Sequence, residues 1–344
     1  MDEKLIKRLL LARVFALRRN DFRYDSLDRP QSVQDDIIQT PEGPRKRRRV
    51  VLTAHGCSVA TCSMCPLPDE AVDGKIPVTL DHWMSQLRAA LDNCPADLHT
   101  LTLFHNGNFF ADREVPPEWR DEIYRFLRTT PIKEFVVESL PQYLTTERRL
   151  VARHGLGPIK LVVAIGLQSS SRLVRELCIT STCTDYTFQE AVQMLKAQGD
   201  DVQVFLMFHP PFLTIEESIW DLRESISYVQ SLGVTPTICP MRIAPNTVVA
   251  DLAAKGLYDP PDLWDLYHAL QGLTNVRVAA SLLPDYGGPV RLAFDALNKT
   301  GMLPTLPPSC PHPEPIEPKR EVVLAKIERY LKLCPSALQN PGGL

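Results

Sequence analysis

From residue 50 onward the sequence alternates short, β-rich apolar runs with amphipathic stretches of helical length, and this alternation restricts the fold most strongly. The spacing predicts strands at 50–54, 100–104, 134–139, 160–168, 202–208 and 235–240. Helices are predicted between them near 82–92, 117–129, 146–154, 188–199, 215–232 and 261–271. Strands separated by helices of this length form parallel βαβ units. The runs LVVAIGLQ and VQVFLMFH are almost wholly apolar, as expected of strands covered on both faces. Six consecutive units predict an α/β fold, an open (β/α)6 partial TIM barrel. An amphipathic helix carrying Ile6, Leu10, Val14 and Leu17 precedes it, and a C-terminal α/β extension follows, with a strand-like run at 275–281 and a last helix at 321–334. The division expected is an N-terminal helical and basic extension (1–44), the barrel (45–285) and the C-terminal extension (286–344).

The 344 residues are 44% hydrophobic and 23% charged, ordinary values for a globular protein. No apolar run reaches the roughly 18 residues of a membrane span, and the charged start is unlike a secretory signal, so a cytoplasmic protein is expected. The net charge of −3 is unevenly placed. Residues 1–50 hold 13 Lys and Arg against 8 Asp and Glu, a net of +5 that leaves −8 for the rest, and much of the excess is the run Arg45–Arg49. Such a run faces either solvent or phosphate.

Six of the nine cysteines are scattered, but Cys57, Cys62 and Cys65 fall within nine residues in the spacing C-x4-C-x2-C, just after the first predicted strand. In a parallel barrel such a loop lies at the C-terminal face, where these folds place their chemistry. Three thiolates on one loop hold three irons of a [4Fe–4S] cube and leave the fourth open. A structural zinc site with His55 as fourth ligand is the competing reading, and a non-catalytic metal-binding scaffold is the alternative from another functional class.

At this point the chain resembles the radical S-adenosylmethionine (SAM) superfamily, with one residue more than the superfamily's usual C-x3-C-x2-C. The segments LFHNGNFFADREVP, VVESLPQYLT, VAIGLQSSSRLVREL, FLMFHPPFLTIEESIWDL and APNTVVADLAAKGLYDPPDLW look like blocks of the archaeosine-synthase radical SAM subunit, of the elongator-type branch, over residues 45–285. The resemblance implies a [4Fe–4S] cluster and SAM as cofactors, and an electron donor such as flavodoxin or ferredoxin. It places Asn106, Gly107 and Asn108 at the SAM ammonium group and Glu138 and Ser139 at the ribose or methionine. It also implies Gln168, Ser169 and Arg175 around the SAM carboxylate, Met64 against adenine, and Phe208 nearby. His209, Arg242 and Tyr286 are expected on the substrate side.

The implied reaction is reductive cleavage of SAM to a 5′-deoxyadenosyl radical that abstracts hydrogen from substrate. The acidic remainder of the chain and an aromatic content of 7% favour a small polar substrate, a nucleoside, nucleotide or sugar, whose diphosphate Arg45–Arg49 could hold. The alternative is a modified base in tRNA, as in the archaeosine enzyme.

Overall fold

The computed structural model describes residues 1–40, 43–279, 288–307 and 313–334. Eight strands form one sheet in sequence order: β1 (Ser32–Thr40), β2 (Gly43–Val51), β3 (Leu98–Phe104), β4 (Glu134–Glu138), β5 (Lys160–Gln168), β6 (Asp201–Phe208), β7 (Pro236–Pro240) and β8 (Arg277–Val278). β2 to β8 are parallel, and β1 pairs antiparallel with β2. This is the curled, partial α/β barrel expected, with an added hairpin at one edge. The helices are α1 (Glu3–Leu17), α2 (Leu80–Leu91), α3 (Pro117–Leu127), α4 (Thr146–Leu156), α5 (Asp185–Ala197), α6 (Ile215–Ser231), α7 (Val248–Ala254), α8 (Leu263–Leu270), α9 (Gly288–Thr300) and α10 (Arg320–Lys332).

Alternation along the strands separates two faces. Val50, Leu101, Leu103, Phe135, Val137, Val163, Leu206 and Phe208 pack with Trp83 and Leu87 of α2 and Ile123 of α3 in the main core. Their neighbours Thr102, Val136, Glu138, Ala164, Phe205 and Cys239 therefore point to the concave side. A second core joins Ile6, Leu9, Leu10 and Val14 of α1 to Val323, Ile327, Tyr330 and Leu331 of α10 and to the π-helical turn Val174–Ile179. The N-terminal helix is thus packed along the barrel rather than trailing from it.

The hairpin β1–β2 was not expected, because SVQDDIIQT and GPRKRRRVV are too charged to read as strands. Register explains them: Asp36 faces Arg47 and Asp35 faces Arg48, and both pairs form ion pairs, of 2.6 and 2.7 Å. Cross-strand pairing turns two unfavourable runs into complementary ones. The hairpin crosses residue 44, where a boundary had been expected. Among the described residues no helix is long and apolar enough to cross a membrane.

Candidate active site

The three-cysteine loop leaves the end of β2, where the Leu52 amide donates to the Phe104 carbonyl at 2.8 Å. Four elements hold it. The Cys57 amide donates to the Asn106 carbonyl beyond β3, at 2.8 Å, and the Ser63 amide to Ile179 of the π-helical turn, at 2.8 Å. The Ser63 hydroxyl donates to the Cys178 carbonyl at 2.6 Å, and the Val248 amide of α7 donates to the Ser63 carbonyl at 2.8 Å. The fourth element is the end of α1. Arg18 Nη2 donates to the Cys62 carbonyl at 3.0 Å and the Ala60 carbonyl at 3.1 Å, and Nη1 donates to the Cys65 carbonyl.

The three cysteines are half-buried and free. Burial, and then the neighbouring Cys57, push the Cys62 thiol up to about 12, with Arg18 opposing. Burial and Cys62 push the Cys65 thiol up as well. Cys62 and Cys65 therefore sit, with Cys57 beside them, in surroundings that disfavour their bare thiolates, which a cationic group would stabilise. Among the described residues no three His, Cys, Asp or Glu side chains converge closely enough to chelate one ion. In an iron–sulfur cube each cysteine meets its own iron, so convergence on a single point is not needed. His55 turns its Nε2 to the Ile76 carbonyl at 2.8 Å, which weakens the zinc reading.

Behind Cys57 stands a carboxylate that the sequence did not single out. Glu114 accepts hydrogen bonds from the Ser58 amide at 2.9 Å and from Asn108 Nδ2 at 3.0 Å, and shorter ones from the Ser58 hydroxyl and the Asn108 amide. Burial raises its pKa, but His105, Ser58 and Asn108 outweigh that and hold it at about 2. Asn108 Nδ2 also lies 3.4 Å from Cys57 Sγ, while its Oδ1 accepts from the Leu140 amide at 2.9 Å. Gly107 is required here, since a Cβ would collide with Glu114 Oε2 and the His105 ring. Asn106, at φ 61°, donates Nδ2 to the Glu70 carbonyl at 2.6 Å. The Asn106–Asn108 turn thus supports the cysteine loop directly. Nothing local in the sequence marks Glu114, which stands in ADREVP as one charge of the run Asp112-Arg113-Glu114.

Glu138 and Ser139 end β4 at the rim. Burial alone pushes the Glu138 carboxyl up to about 7, and the buried Ser139 hydroxyl has no hydrogen-bond partner among the described residues. Both suit contact with a bound polar molecule. Gln168 ends β5 at φ 68°. Arg242 is exposed, with Glu70 at 3.8 Å.

Several expected contacts fall elsewhere. Arg175 is buried, with Nη1 donating to the Ser169 carbonyl at 2.7 Å, Nε to the Cys183 carbonyl at 3.3 Å and Nη2 to Asp185. All three nitrogens are occupied, so no fork remains for a SAM carboxylate. The reason is the π-helical turn at 174–179, which the sequence did not reveal and which turns this side chain inward. Ser169 donates its hydroxyl to Asp221 of α6 at 2.7 Å, tying β5 to its covering helix. Phe208 lies in the main core under the helices, and Met64 packs against the second core. Tyr286, with Asp285 and Gly287, falls outside the described residues.

His209 is a structural histidine rather than a substrate contact. It is buried, stacks on Tyr258 at 4.8 Å, and contacts Ser218 Oγ at 2.9 Å and the Asp259 carbonyl at 3.1 Å. Burial lowers its pKa from 6.5 to about 4. Folding thus favours the neutral ring, and its contribution is complete above about pH 6.5 and shrinks as pH falls towards 4. His209→Gln should therefore abolish a fall in stability of about 2 kcal/mol between pH 7.5 and 5, read as the wild-type-minus-variant difference in urea unfolding. Equal pH dependence in both proteins would refute the assignment.

The basic run offers no diphosphate cradle. Arg47 and Arg48 are paired with Asp36 and Asp35, Arg49 donates to Gln34 at 2.9 Å, and Lys46 pairs with Asp97. Arg45 is about 20 Å of strand away from Val51, where the cysteine loop begins, and lines a shallow groove with Pro44, His99, Pro131 and Lys133 at the opposite end of the barrel.

No protein-family model matches the chain. An uncharacterised protein of Methanocaldococcus jannaschii is 26% identical over 74% of this chain and 72% of its own length. The archaeosine synthase subunit beta of Methanosarcina acetivorans is 29% identical over 71% of each. Among solved structures, the archaeal Elp3 of Methanocaldococcus infernus aligns over 59% of this chain and 55% of its own, at 18% identity and a TM-score of 0.44, a likeness too slight to build on. The chain is thus similar to archaeosine synthase β subunits over most of its length, and it carries its three-cysteine loop at the end of the first parallel strand of a partial barrel, the arrangement that the resemblance to radical SAM enzymes implies.

Proposed function

We propose that this chain is a radical SAM enzyme subunit that acts on a modified guanine base in tRNA. The observation that carries this reading is the 29% identity with an archaeosine synthase β subunit over 71% of both chains. It is preferred to the free nucleotide or sugar first expected, because the arginines invoked for a diphosphate are committed to Asp35, Asp36 and Gln34.

Cys57, Cys62 and Cys65 would hold a [4Fe–4S] cluster, which with bound SAM supplies a 5′-deoxyadenosyl radical for hydrogen abstraction. The protein's own part is placement. Asn106–Asn108 and Glu114 fix the loop on one side, and the π-helical turn and α7 fix it on another. Glu138 and Ser139 offer polar atoms at the adjacent strand end. The concave sheet face shields the reacting carbon from water. A small electron carrier of the flavodoxin or ferredoxin kind would deliver electrons at this rim, and free thiols fit a reducing cytoplasm. A partner subunit would contribute RNA binding, as the word "subunit" in the relative's name invites.

The test is anaerobic reconstitution with iron, sulfide, SAM and a strong reductant. Release of 5′-deoxyadenosine is expected, rising at least about tenfold when tRNA bearing a modified guanine with a lysine side chain, the substrate implied by the archaeosine resemblance, is added. Equal stimulation by the free modified nucleoside would return the reading to a small substrate, and no 5′-deoxyadenosine from cluster-loaded protein would sink it.

A further inference from the structure

We propose that Arg18 is a positioning residue for the iron–sulfur loop, held in place by the docking of α1, and that it accommodates the extra residue of this chain's C-x4-C spacing. The inference rests on the reading of Cys57, Cys62 and Cys65 as cluster ligands. One guanidinium reaches three carbonyls of a six-residue stretch, those of Ala60, Cys62 and Cys65, and also Asp69 Oδ2 at 3.1 Å. The side chain is only 12% exposed. Asp69 in turn accepts from the Arg19 amide at 3.0 Å, so the chain leaving α1 is fastened to the chain leaving the cysteine loop.

Ala60 explains why a clamp is needed. It lies between the first two cysteines and holds φ at 52°, a left-handed conformation that a side chain disfavours. Four intervening residues must bulge where three would run more directly, and the bulge turns the Ala60 carbonyl to the guanidinium. Arginine suits this place because its fixed fork satisfies several acceptors at once, whereas an ammonium is a point donor. A permanent positive charge beside the loop also favours the more negative, reduced form of any cluster held there.

Arg18 is carried by a helix with an independent anchorage. Ile6, Leu9, Leu10 and Val14 lie in the second core, and Arg13 pairs with Asp251 of α7 at 2.8 Å. α7 also meets the cysteine loop, through Val248 and Ser63. The second core thus holds the loop by two routes.

The experiment compares wild type, Arg18→Met and Arg18→Lys in the full chain, each checked for folding by circular dichroism. In apo protein, amide exchange over residues 57–66 should be about tenfold faster in Arg18→Met. After reconstitution, Arg18→Met should retain less than half the wild-type iron after a chelator challenge. Its midpoint potential should shift negative, leaving about tenfold less cluster reduced by the same donor, equivalent to ~59 mV for a one-electron couple. Arg18→Lys should restore most of the potential but not the exchange protection or iron retention. A purely structural role would leave the potential unmoved. Wild-type exchange, iron and potential in Arg18→Met overturn the proposal. If Arg18→Met does not fold, Arg18→Lys decides it: wild-type exchange and retention in the lysine variant also overturn the proposal. Wild-type protein that takes up no cluster defeats the ligand reading instead, and the apo exchange comparison then still judges the clamp.

Discussion

Replacing Cys62 with alanine is expected to remove the iron–sulfur chromophore and reduce SAM cleavage by at least about 100-fold, with the fold intact. The Cys62 thiol is raised by burial and by Cys57, and it in turn raises that of Cys65, so it lies within the trio. Two ligands cannot hold a cube against exchange with solvent thiols, so iron should fall from about four per chain towards background. Stability should change little, because the loop is fastened through backbone groups and through Arg18 rather than through this sulfur. One neighbour could complicate the result. Cys183 lies near enough to perturb Cys62, although it is buried with its sulfur towards the Thr184 carbonyl. Cys183→Ser is therefore the control and should keep full iron and full cleavage. Iron analysis with 5′-deoxyadenosine measurement checks both, and a Cys62→Ala protein that still cleaves SAM would overthrow the ligand assignment.

Glu114→Ala should destabilise the protein by about 3–5 kcal/mol, the larger stability effect expected here. The substitution orphans the Ser58 and Asn108 amides and frees Asn108 Nδ2, which now bridges the carboxylate and Cys57. Glu114→Gln keeps the shape but loses the charge that these donors were arranged around, and should cost roughly half as much. The pH dependence has a definite sign. Because the folded carboxyl sits at about 2, below its ordinary 4.5, its contribution is complete above pH 4.5 and disappears as pH falls towards 2. It amounts to about 3 kcal/mol. Urea unfolding at pH 7 and 3.5 separates the cases, and a Glu114→Ala midpoint matching wild type at pH 7 would contradict the network.

The parallel strands were legible because burial on both faces leaves an apolar signature, and the bounds of β5, Lys160–Gln168, coincide with the run that predicted it. The hairpin was hidden for the opposite reason: Asp35, Asp36 and Arg47–Arg49 oppose strand formation one by one and favour it only as facing pairs. At the site, the cysteine trio declared itself by spacing. Arg18 did not, since its partners lie 42 to 51 residues away and nothing local marks an arginine at a helix end as a clamp. Arg175 was misplaced by the same blindness, for a π-helical turn carries no sequence signature that would show which way its guanidinium points.

The hairpin also changes what kind of object the curled sheet is. β1 runs back along β2, and its far end brings the Gln39 carbonyl within 3.5 Å of Arg277 Nη2 on β8. The first and last strands of the sheet therefore meet at the end remote from the cysteines. The inner strands are bonded on both sides, whereas among the described residues this seam shows a long contact from a flexible side chain. A molecule built like this has its compliance gathered along a single line, as a rolled collar does at its clasp. If the concave space has to widen, this seam is where the sheet is expected to give, leaving the wall that carries the cysteine loop unchanged.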